Sequence, residues 1–214
     1  MKNIVKKITE FLMVVVLLST GCQKITTEGV TGITHYPKFE MTGDKLVFVQ
    51  INTTFTDPGV IAFEGDTEIN VDIKGAVNTS VKDVYTLVYT ATNSDGFPAS
   101  IERMVAVVPN LPTVDLAGTY SLVHATRTGS IDITKIEGIL GYYRSTDSWW
   151  QAYPIPLDFV DMGDGTLIVL PGSSRFGPHA GTGTILPDDQ IQFACFFTSG
   201  TNAGISWSTD WQLD

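Results

Sequence analysis

From residue 36 onward the apolar residues fall in short runs of Val, Ile, Thr, Tyr and Phe, broken by Gly, Asp, Asn and Pro. That is the pattern of antiparallel β domains, and nothing in it carries a helical period. Segments 46–51, 68–73, 84–92 and 101–108 read as the strands of a first domain. In the third of these, Tyr85, Leu87, Tyr89 and Ala91 alternate with Thr86, Val88, Thr90 and Thr92, so one face is built for a core. In the fourth, Val105 and Val107 face one way and Met104, Ala106 and Val108 the other. A strand apolar on both faces near its end is expected to lay one of them against a neighbouring domain. Two turns punctuate this region. Pro58 presets φ and Gly59 supplies positive φ in Thr56-Asp57-Pro58-Gly59, and Asn93-Ser94-Asp95-Gly96 suits a tight reversal.

After a junction at 110–113, stiffened by Pro109 and Pro112, the same texture resumes. Strands are expected at 118–126, 130–136, 139–143, 149–153, 156–162, 165–170, 182–186, 190–197 and 204–213, with reversals at Met162-Gly163-Asp164-Gly165-Thr166 and Pro187-Asp188-Asp189. That density of short strands suits an antiparallel β-barrel or a jelly-roll-like sandwich, and the pattern does not choose between them. The fold class is therefore all-β: an N-terminal β-sandwich at 36–109 and a second all-β domain at 113–214.

The first 22 residues depart from this texture. Lys2, Lys6 and Lys7 precede an apolar run from Phe11 to Leu18, and Ser19-Thr20-Gly21 leads into Cys22. The run is less than half of the ~20 apolar residues a spanning helix needs, so it reads as a cleaved export signal at 1–21. Cys22 then becomes the lipidated first residue, although Ser19 stands where leucine is usual and Leu18 lies one step further out. Residues 22–35, rich in Thr and Gly, form a flexible tether with a reach of a few tens of ångströms at about 3.3 Å per residue.

Removing the signal changes the charge and the cysteine chemistry. The chain's 13 basic and 23 acidic residues fall to 10 and 22 once Lys2, Lys6, Lys7 and Glu10 are gone, a net of −12. Acidity spread along a chain disfavours nucleic acid and anionic headgroups, so no nucleic acid partner is expected, and the membrane is engaged through the lipid anchor only. With Cys22 lipidated, Cys195 has no partner. It shares a strand face with Ile191, Phe193 and Phe197 and is expected to be a small buried hydrophobe.

Tyr36-Pro37-Lys38-Phe39, Thr56-Asp57-Pro58-Gly59-Val60 with Ala62, Val77-Asn78-Thr79, and Tyr85-Thr86-Leu87-Val88-Tyr89-Thr90-Ala91-Thr92-Asn93 followed by Asp95-Gly96 resemble the bacterial immunoglobulin-like domain. This module occurs in surface lipoproteins of gut anaerobes, often beside starch-utilization-type glycan uptake systems. The resemblance implies an immunoglobulin-like sandwich for 36–109, serving as a spacer with no site of its own. By layout, 113–214 resembles the C-terminal domain of the same lipoproteins.

A search for chemistry finds no constellation of an enzyme, and no cofactor or metal is expected. His35, His124 and His179 lie in separate segments without metal-ligand spacing, and His179, in a Gly/Pro-rich stretch, is expected to be solvated. Asp161-Met162-Gly163-Asp164-Gly165 has half the look of a calcium loop, but the closing glutamate is missing and a hairpin needs the same residues. The aromatics say more. Trp207 and Trp211 alternate with polar residues and share a face with Ile205 and Leu213, so they belong to a core. Tyr142 and Tyr143, like Trp149 and Trp150, are adjacent, and neighbours on a strand point to opposite faces. Large rings are thus expected at the surface among hydrogen-bonding groups, which is what a pyranose requires. The candidate carbohydrate-binding residues are Tyr143, Arg144, Asp147, Trp149, Trp150, Gln151 and Tyr153, with the loop 171–179 as a further lining.

Together with the resemblance, these features give an expected non-catalytic envelope lipoprotein that binds a polysaccharide or oligosaccharide in a surface uptake system. It would be lipid-anchored at the outer membrane, with the cell surface favoured over the periplasmic face. The alternatives are a structural or adaptor lipoprotein docking to an outer-membrane glycan transporter and, third, a surface carbohydrate-active enzyme.

Overall fold

The structure, a computed structural model, describes residues 34–149 and 153–214. The signal segment, Cys22 and most of the tether lie outside the described residues, as do Trp150 and Gln151. His35–Asp214 forms one compact unit that holds both β domains, with no helix among the described residues.

The N-terminal domain is an immunoglobulin-like sandwich of seven strands: β1 (Lys38–Met41), β2 (Leu46–Gln50), β3 (Val60–Glu64), β4 (Thr67–Ile69), β5 (Asp72–Lys74), β6 (Asp83–Thr92) and β7 (Pro98–Val108). One sheet has the order β1-β3-β4 and the other β2-β7-β6-β5, with β2 parallel to β7. The run 68–73 is thus two strands in different sheets, because the chain crosses between layers at Asn70-Val71. Between the sheets lie Val49, Leu87, Tyr89 and Val105, with Phe39, Met41 and Val60 from the opposite side. Arg103 is enclosed in this layer. Its guanidinium donates to the carbonyls of Thr42 (2.6 Å) and Gly59 (3.3 Å) and stands 3.1 Å from the Asp57 carboxylate, an ion pair without an aligned hydrogen bond. The Tyr89 hydroxyl donates to Asp57 at 2.8 Å, and burial, reinforced by that carboxylate, pushes Tyr89 up to about 12. The Asp-Pro-Gly turn is therefore pinned from inside by a buried cation.

The C-terminal domain is a closed barrel. Its strands are β8 (Gly118–Leu122), β9 (Ser130–Lys135), β10 (Tyr142–Ser145), β11 (Leu157–Asp161), β12 (Thr166–Ser174), β13 (Gly177–Leu186), β14 (Gln190–Phe197) and β15 (Ser206–Leu213). Each pairs antiparallel with the next, and β15 closes on β8. The barrel, not the jelly roll, is the answer. Ile191, Phe193, Cys195 and Phe197 all point into it with Trp207 and Trp211, and burial pushes the Cys195 thiol up to about 12. Ile205 and Leu213, expected beside those tryptophans in the core, are 49% and 36% exposed at the ends of the last strand. An eight-stranded barrel is narrow enough for side chains to fill, and these do.

Two expectations fail here for local reasons. Trp149 and Tyr153, placed on a strand by their sequence, lie in the connection between β10 and β11. The Gly/Pro stretch 171–179 is instead a hairpin of β12 and β13. Pro171 sits in a bulge between Val169 and Gly172, where a strand tolerates proline, and the glycines of β13 let neighbouring strands approach closely.

The two domains share a second apolar layer. Ala106 and Val108 of β7, with Leu46, pack against Tyr142, Val160 and Met162 on the outer wall of the barrel. Around them, the Lys82 ammonium meets Asp164 at 2.8 Å and Thr166 at 3.0 Å, and Asn110 donates to the Gly163 carbonyl at 3.2 Å. The Asp161–Thr166 segment is therefore the β11–β12 hairpin turn and a docking element. Asp161 accepts from the Gly163 N–H at 2.8 Å, and no cluster of metal-ligating side chains forms among the described residues.

Gly163 has φ of 70°, and a Cβ there would collide with the Asn110 carbonyl. Gly163→Ala should therefore lose at least about 2 kcal/mol in urea unfolding, combining about 1 kcal/mol of backbone strain with a lost hydrogen bond of similar size. Gly96→Ala has φ of 86° and open space, so it isolates the strain and should cost about 1 kcal/mol. Equal losses would refute the close approach. Asp161 is 3% exposed, and burial raises its pKa above the ordinary carboxylate range. The folded state therefore holds this proton more tightly than the unfolded chain, and stability falls as pH rises from the unfolded value, about 3.9, through the raised one. Asp161→Asn should melt above the parent at neutral pH, with the gap closing as the pH drops below about 3.9. A lower melting temperature for Asp161→Asn at neutral pH would contradict this.

Candidate functional site

The connection between β10 and β11 crosses one end of the barrel, and a polar network ties it down. Asp147 Oδ1 accepts the backbone N–H groups of Ser148 (2.7 Å), Trp149 (2.9 Å) and Ile155 (2.8 Å). Ser148, fully buried, donates to the Ile155 carbonyl and offers its own carbonyl to the Thr209 hydroxyl, each at 3.0 Å. Asp147, the candidate sugar-binding carboxylate, therefore builds the loop through one of its two oxygens.

This anchoring drives Trp149 inward. Its ring meets Trp207 edge-on at 5.0 Å and lies 6.2 Å from Phe197 and 6.4 Å from Phe176, so it plugs the barrel end. Tyr143, expected as a surface ring, is corrected to a core residue. It is fully buried, stacked on Phe159 at 5.6 Å, and its hydroxyl accepts from the Leu116 N–H. Tyr142 is buried as well, on the opposite face of β10, against the immunoglobulin-like sheet. Neighbours on a strand point to opposite faces, and this strand has a core on each side.

Tyr153 remains at the surface, 52% exposed, with the Arg175 guanidinium 3.9 Å above its ring and Phe176 at its edge, 6.4 Å away. Arg175 and Phe176 form the β12–β13 turn, within the loop singled out above. This end of the barrel thus carries a graded aromatic stack, from buried Trp207 through Trp149 and Phe176 to exposed Tyr153.

Arg144 lies elsewhere. On the outer face of β10 it makes a bidentate pair with its register partner Asp158, at 2.6 and 2.7 Å, which holds the guanidinium above its usual range. It lines a cleft of about 820 Å³ between the barrel wall and the four-stranded sheet, opposite Lys45 and Glu102. His179 borders the same cleft. It is 2% exposed rather than solvated, with Nδ1 unpartnered and its ring 6.4 Å from Trp207. Lys45, Glu102 and Asp158 carry no signal in the sequence, because the cleft exists only where the two domains diverge.

Residues 39–107 match the family described as bacterial surface protein, Ig-like domain. The match covers the N-terminal sandwich and none of the barrel. Among solved structures, the chain is similar to a lipoprotein from Bacteroides thetaiotaomicron, 21% identical, over 83% of this chain and 100% of that one, with a TM-score of 0.39. No curated protein matches the chain.

The packing separates two residues that the sequence treats alike. Trp149→Ala should cost about 3 kcal/mol in thermal or urea unfolding, because it opens a hole among Trp207, Phe197 and Phe176. Tyr153→Ala should cost less than about 1 kcal/mol, the scale of an exposed cation–π contact. Comparable losses would mean that Trp149 is not the plug.

Proposed function

We propose that this chain is a lipid-anchored protein of the bacterial envelope that captures glycan without cleaving it, as part of a surface uptake system of the starch-utilization type. The observation that carries this reading is the rim of Tyr153, Arg175 and Phe176, a half-exposed aromatic held in place by a stacked guanidinium. A sugar presents an apolar C–H face to such a ring and hydroxyls to the guanidinium beside it. If each ring contributes about 1 kcal/mol, two rings and a few hydrogen bonds reach the ~4 kcal/mol of a millimolar site. A lipid anchor at Cys22 concentrates many copies on one surface, where weak sites add through avidity.

The match to a surface domain and the export signal support an envelope location, with the outer face of the outer membrane as its proposed side. A non-catalytic role is supported by Asp158, whose two carboxylate oxygens are both held by Arg144. One observation favours the adaptor alternative. Phe196, on the outer face of β14, and Ile205, at the barrel end just before β15, are 45% and 49% exposed, which suits docking to a transporter.

Affinity electrophoresis of the full chain through gels holding starch, xylan, mannan or laminarin tests the reading. Retardation by at least one polysaccharide is expected, with loss in Tyr153→Ala and Arg175→Ala variants that melt near the parent, and with no new reducing ends on incubation. A parent that none of the gels retards defeats glycan capture, and release of reducing sugar defeats the non-catalytic role.

A further inference from the structure

The layer between the two domains is a wedge, and its composition changes along four of the strands that form it. On β7, the row facing the barrel runs Val108, Ala106, Met104 and then Glu102; on β6 it runs Val84 and then Thr86. On the barrel, β10 goes from Tyr142 to Arg144, and β11, read back from Met162 just past its end, goes from Val160 to Asp158. Each row is apolar where the surfaces touch and polar where they part. A sheet face that merely left its contact would meet open solvent. Here the two polar ends stay opposed across about 820 Å³, a volume typical of small-molecule sites.

We infer that the immunoglobulin-like domain is half of the ligand site, and that this cleft, lined by Lys45 and Glu102 on one wall and Arg144 and Asp158 on the other, binds a neutral oligosaccharide chain. The inference rests on the glycan reading above and extends it from the rim to a second, larger surface. Arg144 and Asp158 neutralise each other and Lys45 is matched by Glu102, so the cleft offers a polyanion no net positive charge while a neutral polyol finds both donors and acceptors. The chain's net charge of −10 works against a polyanion as well. Among the described residues, neither Lys45 nor Glu102 has an ion-pair partner, which leaves both heads available to hydroxyls.

His179 borders the cleft from the barrel side, its register partner being the buried Phe197 and its ring 6.4 Å from Trp207. His179 is nine-tenths buried with Nδ1 unpartnered, and the wall beside it is Gly172, where a Cβ would lie 2.7 Å from the imidazole Nε2. An unpaired buried polar atom costs about 1–3 kcal/mol, an expense a core usually avoids with an apolar side chain.

A chain ligand rather than a single sugar follows from continuity with the rim. Ser173 and Pro156 line the cleft, while Arg175 and Tyr153 lie two and three residues further along the same segments. At about 3.3 Å per residue the two surfaces are separated by no more than about 10 Å.

Titration calorimetry on the full chain with maltohexaose, xylohexaose, mannohexaose and laminarihexaose, and with glucose as the single unit, tests this. At least one hexasaccharide should bind, more tightly than glucose. Lys45→Ala and Glu102→Ala should each weaken it about tenfold, the value of one charge-assisted hydrogen bond. Both side chains are exposed, so the variants should melt as the parent does, and Glu68→Ala on the far sheet should bind unchanged. Hexasaccharide binding that is lost in Tyr153→Ala but intact in the Lys45→Ala, Glu102→Ala double variant overturns the cleft and leaves the rim standing. A parent that binds no hexasaccharide overturns the cleft; if polysaccharide gels also fail to retard it, glycan capture falls with it. Tighter binding of an oligogalacturonate than of every neutral chain overturns the assignment of a neutral ligand.

Discussion

The burial of one β-sheet on both faces is the constraint on which the rest of this structure depends. Val105 of β7 packs into the sandwich while Ala106 and Val108 pack against the barrel. A strand with two apolar faces cannot be stable at the surface of a lone sandwich, since one row would face water. The barrel supplies the missing layer with its own outer row of Tyr142, Val160 and Met162. The pairing of Lys82 with Asp164 and the close approach of Gly163 to Asn110 then fix the orientation, because an apolar layer is non-directional and these contacts are not.

That orientation gives the Ig-like part a consequence beyond spacing. A sandwich joined by a flexible linker would present no surface shared with its neighbour. Docked through half of one face, it leaves the other half opposed to the barrel wall, and a concave space appears between two convex bodies. The aromatic rim has a different origin. The Asp147 carboxylate gathers three backbone N–H groups, folding the loop so that Trp149 packs, partly buried, on the barrel core and Tyr153 is left outside. Loop chemistry makes the one surface, and domain docking makes the other.

Much of the fold was legible because β structure writes its period locally. The alternation from Tyr85 to Thr92, the inward row of β14 and the turn residues at Gly59 and Gly163 all depend on neighbours within a few positions. The double-faced character of β7 was legible too, since Met104 to Val108 is apolar without alternation. The candidate surfaces were far less so. Arg144 and Tyr153 sit nine residues apart in one segment, yet one lines the cleft and the other the rim. The equal treatment of Tyr142 and Tyr143 failed because period-two reasoning knows which residues oppose each other but not how many cores a strand has. Glycine and proline at 171–179 read as a loop because their strand-compatible uses, a bulge and a close crossing, appear only against a neighbouring strand.

By itself the sequence determined the all-β class, the two-domain order, most turn positions and the rows of side chains that most strands would offer. These follow from backbone sterics and the alternation of Cβ directions, which are properties of adjacent residues. Only the tertiary structure decided that the second domain closes as a barrel, that the Asp57 turn is locked by Arg103, and that Lys45 and Glu102 stand across from Arg144 and Asp158. Each of these joins residues far apart in the chain through register and docking, and no local pattern encodes where a distant strand will lie.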